Sequence, residues 1–299
     1  MMIKSLRSLR SLKTLFFFEK LRRRFLRLFL IFAANNLKIF NRMKKSLLVL
    51  LSFAALSVYA QPKIVAHRGF YKTAGSEENT LSSLVNAQKL GVYGVEFDVN
   101  MTSDGELIVF HGPKITDELD AQKSSYKEIS KVTLKNGHRI PTLRQWLEQG
   151  RKDPNTKLIL EMKKHATPAI ETEVAEKIVA LCRETGTMEQ MEFISFSRHA
   201  CREFVRLAPE NCVVYVSSNL WTSVDADAAR KEGFGGLSYN LNVFMNRPEL
   251  VSRSNELGIA TTLWMVENEE VADWAVKHGI TYISTDFPDR MKKYLEQQR

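Results

Sequence analysis

Cysteine is scarce in this 299-residue chain, which carries only Cys182, Cys201 and Cys212. Three widely and irregularly spaced thiols exclude a disulfide framework and a thiolate zinc site. They can form one disulfide at most, and core packing is their expected role. A bilayer span is lacking too, because the apolar run from Leu47 to Val58 falls well short of the ~20 residues one needs. Net positive charge is absent from the body of the chain, although the whole carries +9. Residues 1–42 hold eleven Lys/Arg against Glu19 alone, and Lys44 and Lys45 add two more charges, which leaves residues 61–299 at −3. A mildly acidic body excludes the electrostatic groove that nucleic acid requires.

What stands near the N-terminus is an export signal. From Met43 the chain reads MKKSLLVLLSFAALSVYA, with two lysines, an apolar run and the small-x-small site Val58-Tyr59-Ala60. Residues 43–60 are therefore expected to be a secretory signal peptide, with the mature domain at 61–299 and a periplasmic or secreted product. No cysteine lies near the cleavage site, so no lipid anchor is expected. Residues 1–42 precede a complete signal with its own Met43, and are expected to be an upstream mis-start or a disordered basic leader. A basic amphipathic membrane-surface helix is the alternative.

Beyond Lys63, apolar runs of strand length alternate with amphipathic stretches of helical period. The strands are expected at 63–67, 92–99, 106–111, 157–163, 192–196, 212–216, 235–239, 259–266 and 281–286; the helical stretches include 79–90, 142–149, 168–185, 198–208, 222–232, 248–257 and 268–278. Such alternation predicts a parallel sheet with crossover helices. A doubly wound open sheet fits it as well as a (β/α)₈ barrel does. Polar residues at the C-terminal ends of several strands favour the barrel, which assembles its sites there. A barrel of about 250 residues also suits the length. Nine strands are one more than it requires, so one should be peripheral. Between the second and third strands there is room only for a turn around Asp104-Gly105, which reads as a two-residue hairpin loop. That turn would set Asp98 directly opposite His111.

Glu96 and Asp98 alternate within an apolar strand and so point to one side. Glu161 interrupts LILEM in the same manner. Each acid alone could be the solvated face of a half-exposed strand. Three together, without thiolates, suit a hard cation, Mg²⁺ or Ca²⁺. His67 and His111 end strands beside these carboxylates, as a two-step proton transfer needs. Arg68 and Lys163 could grip phosphate oxygens, Arg68 bidentately. Trp264 is either a wall for the substrate or a core residue, and Glu78-Asn79 either supports the site or caps the following helix. His138, His165, His199 and His278 receive no role.

The ordered set HRG at 67–69, ENT at 78–80, EFDV at 96–99, TSDGELIVFH at 102–111, IPTL at 140–143, LEMK at 160–163 and STDFP at 284–288 resembles the glycerophosphodiester phosphodiesterase family. That family shares a barrel with phosphatidylinositol-specific phospholipases C, and the match spans about residues 63–289. The resemblance implies a single (β/α)₈ barrel and divalent-cation-dependent hydrolysis of glycerophosphodiesters to an alcohol and glycerol 3-phosphate. It implies His67 and His111 as the acid–base pair, with a metal-ligand role for His111 also open. It further implies Glu96, Asp98 and Glu161 as metal ligands, and Arg68 and Lys163 as phosphate contacts. The expected mechanism lowers the pKa of the neighbouring glycerol hydroxyl, closes a cyclic phosphate, and opens it with water as the histidines exchange roles. Three features depart from the pattern. Glu77 replaces a proline, the segment between His111 and Ile140 is short, and Gly112 follows His111 where the family usually has aspartate. The last is closer to the phospholipase C pattern and admits intact phospholipid as an alternative substrate. A non-catalytic phosphate- or glycan-binding barrel is the rival from another class.

Overall fold

The computed structural model describes Arg22 and residues 61–298. The expected leader at 1–42 and signal at 43–60 lie outside the described residues, apart from Arg22. Among the described residues nine strands occur, as the alternation predicted: β1 Lys63–Ala66, β2 Gly94–Met101, β3 Leu107–Val109, β4 Lys157–Met162, β5 Met191–Ser195, β6 Cys212–Ser217, β7 Gly236–Asn240, β8 Ala260–Trp264 and β9 Tyr282–Thr285. Eight of them run parallel in the order β1-β9-β8-β7-β6-β5-β4-β2, and a β1–β2 pairing closes the ring. The peripheral ninth is β3, antiparallel on β2. This is a (β/α)₈ barrel.

Alternation decides what each strand buries. Phe97, Val99, Leu158, Leu160 and Phe193 pack outward against the helices in one continuous core, where Trp146 stacks on Phe97 with ring centroids 4.8 Å apart. The opposite faces of β2 and β4 carry Glu96, Asp98 and Glu161 toward the barrel axis. The expected helices recur with ends shifted by a few residues, and helices at 126–129, 241–246 and 288–297 were not anticipated. The last begins with Pro288, which suits a first helical turn, and buries Pro288, Met291 and Leu295 among charged neighbours. Cys182, Cys201 and Cys212 are free thiols, two of them buried. Among the described residues no helix is long and apolar enough to cross a membrane.

The hairpin differs from expectation. Val99 pairs with Val109, so Phe110 rather than His111 is bonded opposite Asp98, its N–H donating to the Asp98 carbonyl at 2.9 Å. The reason is the turn. Thr102 closes the ladder on Glu106, only Gly105 adopts positive φ, at 85°, and Asp104 uses its carboxylate to accept from the Thr102 hydroxyl and the Tyr126 N–H. The result is a three-residue loop in place of a two-residue one, and the register moves by one. The ladder ends before His111, which lies in the bend beyond it.

Candidate active site

Parallel pairing of β2 with β4 sets Asp98 beside Glu161, and Glu96 lies two residues back on the same face. One carboxylate oxygen from each falls within 4.8 Å of the others, and all three side chains are buried. Two cations face them. Lys163 Nζ donates to Glu161 Oε1 at 2.6 Å and to Asp98 Oδ1 at 3.1 Å; the Arg68 guanidinium donates to Glu78 at 2.8 Å and lies 3.4 Å from Asp98. Burial pushes the Glu96 carboxyl up to about 8, with the Asp98 charge adding to the effect. Burial raises Glu161 as well. It works on Asp98 in the same sense, but Lys163 and Arg68 outweigh it and hold that carboxyl below its usual range. Glu96 Oε1 is buried with no hydrogen-bond partner among the described residues. Three hard oxygen donors, one with an unserved oxygen, fit a divalent cation.

The loop after β1 is shaped to meet this cluster. Arg68 takes φ 54° and Asn79 φ 58°, conformations costly for residues with a Cβ, and such strain gathers at functional sites. At Arg68 it turns the backbone N–H onto Glu96 Oε2 at 2.9 Å. Asn79 donates from Nδ2 to Asp98 Oδ2 at 2.8 Å and accepts from the Asp98 N–H at 3.1 Å. Gly69 follows with φ 81°, and a Cβ there would meet Ser83 Oγ at 2.3 Å, so only glycine lets the loop approach the helix at Leu81–Leu90. Thr80 caps that helix. Glu78 and Asn79 therefore hold Arg68 and Asp98, and the capping alternative for them falls.

His67 is gripped by Asp286, which lies in the STDFP motif at 284–288 but is assigned no role there. Its Nδ1 lies 2.7 Å from Asp286 Oδ1, just past β9, and the other Asp286 oxygen accepts from the Tyr71 hydroxyl at 2.5 Å. Nε2 faces Glu96 Oε2 at 4.0 Å. Burial alone would lower the His67 pKa, but the Asp286 hydrogen bond and the Glu96 charge overcome it and raise it. His111 behaves oppositely: burial, with Lys163 nearby, lowers it despite Asp98. His67, Arg68, Glu96, Asp98, His111, Glu161, Lys163 and Trp264 all line one cavity of about 140 Å³. Trp264 borders this cavity, stands edge-on to Phe196 and packs on the apolar cluster inside the barrel, its buried Nε1 without a partner among the described residues. His165, given no role above, accepts from the Met101 N–H at Nε2 and reaches the Lys163 carbonyl through Nδ1 at 2.8 Å.

Residues 67–290 match the glycerophosphoryl diester phosphodiesterase family. The chain belongs to this family. A crystal structure of a glycerophosphodiester phosphodiesterase from Parabacteroides distasonis is 34% identical with a TM-score of 0.76, over 80% of this chain and 98% of that one. A glycerophosphodiester phosphodiesterase of Caldanaerobacter subterraneus is 27% identical over 241 residues, which is 76% of this chain and 95% of that protein. A phosphodiesterase of Oleispira antarctica, solved in complex with the product sn-glycerol-3-phosphate, shares the fold at 22% identity and a TM-score of 0.68, over 79% of this chain and 97% of that one. For a phosphodiesterase of this family, the acidic cluster and the two histidines occupy the barrel's C-terminal mouth, where such enzymes carry their chemistry.

Proposed function

We propose that the chain hydrolyses glycerophosphodiesters to an alcohol and glycerol 3-phosphate with one bound divalent cation, Mg²⁺ or Ca²⁺. The observation that carries this reading is the convergence of three carboxylates, two histidines and two cationic side chains on one cavity. Glu96, Asp98 and Glu161 would hold the cation, which supplies Lewis-acid stabilisation of the charge that develops on phosphate. His67, held by Asp286, favours the imidazolium and donates a proton to the leaving alkoxide. His111, held neutral, accepts the proton of the glycerol hydroxyl that attacks phosphorus. The roles exchange when water opens the resulting cyclic phosphate. Arg68 and Lys163 present positive charge to the phosphate oxygens, and Trp264 borders the glycerol moiety. Chelation followed by single-metal add-back, on a panel of glycerophosphodiesters, tests the reading; undiminished hydrolysis by fully chelated protein would refute it.

A second reading, hydrolysis of intact phospholipid, draws on the rim of the mouth. Trp221 is 96% exposed and Met245 59%, on the segments that follow β6 and β7, with Leu220 beside Trp221. Head-group release from phosphatidylcholine vesicles separates the two substrates. Export is part of the proposal and rests on residues 43–60; N-terminal sequencing of the native product should find a chain beginning near Gln61, and recovery of Met1 would refute the mis-start.

A further inference from the structure

The two histidines are not held alike. Asp286 fixes the His67 ring, whereas the His111 ring makes no hydrogen bond to the described residues, and Gly112 after it has no side chain with which to restrain it. The position of His111 therefore depends on its backbone. Phe110, just before it, donates to the Asp98 carbonyl, and the Phe110 carbonyl accepts from Asn100 Nδ2 at 2.7 Å. Asn100 is a buried amide on β2, and its Oδ1 accepts from Gln122 Nε2 at 2.8 Å. The same Gln122 nitrogen donates to the Lys164 carbonyl at 2.9 Å. Two side-chain amides in series, Asn100 and Gln122, thus tie the backbone beside His111 to the backbone beside Lys163. Gln122 is itself anchored: its N–H donates to Asp120 Oδ1, and Ala121 is fully buried in a small cluster with Ile108, Ile129 and Ile140.

We propose that Gln122, acting through Asn100, is a positioning residue that sets His111 against Lys163 across the substrate phosphate, in place of a carboxylate on the His111 ring. The proposal rests on the catalytic reading of His111. Its geometry explains how a site whose second histidine precedes glycine keeps a defined distance between base and cation. A misplacement of this kind acts on the transition state more than on the bound substrate.

The test is a double-mutant cycle on the full-length protein with its cation, hydrolysing glycerophosphocholine. Gln122→Ala should lower kcat roughly tenfold with KM changed by less than about twofold. Gln122→Glu, of the same size but unable to donate to either oxygen, should lose at least as much, and it carries the same readings if Gln122→Ala does not fold. In the His111→Ala background neither change should reduce the residual turnover further. An unaltered kcat, or an equal loss with and without His111, would overturn the clamp. Full activity in His111→Ala alone would instead overturn the catalytic reading beneath it.

Discussion

The strands of the barrel bury carboxylates in two places and treat them differently. Near the strand starts, Glu192 of β5 accepts from the Tyr93 hydroxyl, which in turn accepts from Tyr282 at 3.2 Å, while the two rings stack with centroids 4.7 Å apart. Burial raises the Glu192 carboxyl, but it is a single charge with its hydrogen bond made and Lys63 poised over the Tyr93 ring. At the mouth, three carboxylates crowd together and one buried oxygen goes unserved. Burial of an acid is thus no mark of a site; crowding beyond what the neighbouring cations satisfy is.

The largest effect expected to sharpen this contrast is on turnover. His67→Ala and His111→Ala should each lower kcat by about 10²- to 10⁴-fold with an unchanged circular dichroism spectrum, whereas Glu192→Gln should leave kcat within about twofold. Comparable losses at Glu192 would erase the distinction. Next comes stability in chelator-treated protein: Glu96→Gln removes a carboxyl that folding forces to hold its proton and should raise the unfolding free energy by ~1–3 kcal/mol while abolishing tight cation binding, as denaturant titration and calorimetry would report. Tyr93→Phe should do the reverse, costing ~1–3 kcal/mol because Glu192 loses its donor, with kcat unmoved.

The most gradual effect, spread over several pH units, is pH dependence. The folded state holds the Glu96 proton more tightly than the unfolded chain, at about 8 against 4.5, so stability from this group is present below 4.5 and is lost as pH rises toward 8. Chelator-treated protein should therefore weaken over that window, by at most ~1.4 kcal/mol per pH unit, and a bound cation or Glu96→Gln should flatten the slope. A slope unaffected by either would detach Glu96 from the cluster.

Much of this was legible in the chain. Strand count follows from strand-length apolar runs between helical stretches, the acids at 96, 98 and 161 from apolar strands broken by charge, and barrel closure from polar residues gathered at strand ends; each is a local signal. The hairpin register was not legible, because Asp-Gly serves both two- and three-residue loops and only the φ of Asp104 tells them apart. Asp286 escaped notice because its partner lies 219 residues away, although a carboxylate just past the last strand was the same signal that had marked the others. Asn79 was legible only as either a cap or a support, because both use the same residue types; Thr80 takes the cap.

The most direct test of the central claim is calorimetric titration of chelator-stripped protein with Mg²⁺ and with Ca²⁺, alongside the Glu96→Gln/Glu161→Gln variant. One ion should bind per wild-type chain, with hydrolysis returning in step with occupancy, and none should bind the variant. Hydrolysis by the stripped protein, or undiminished binding by the variant, would contradict the account.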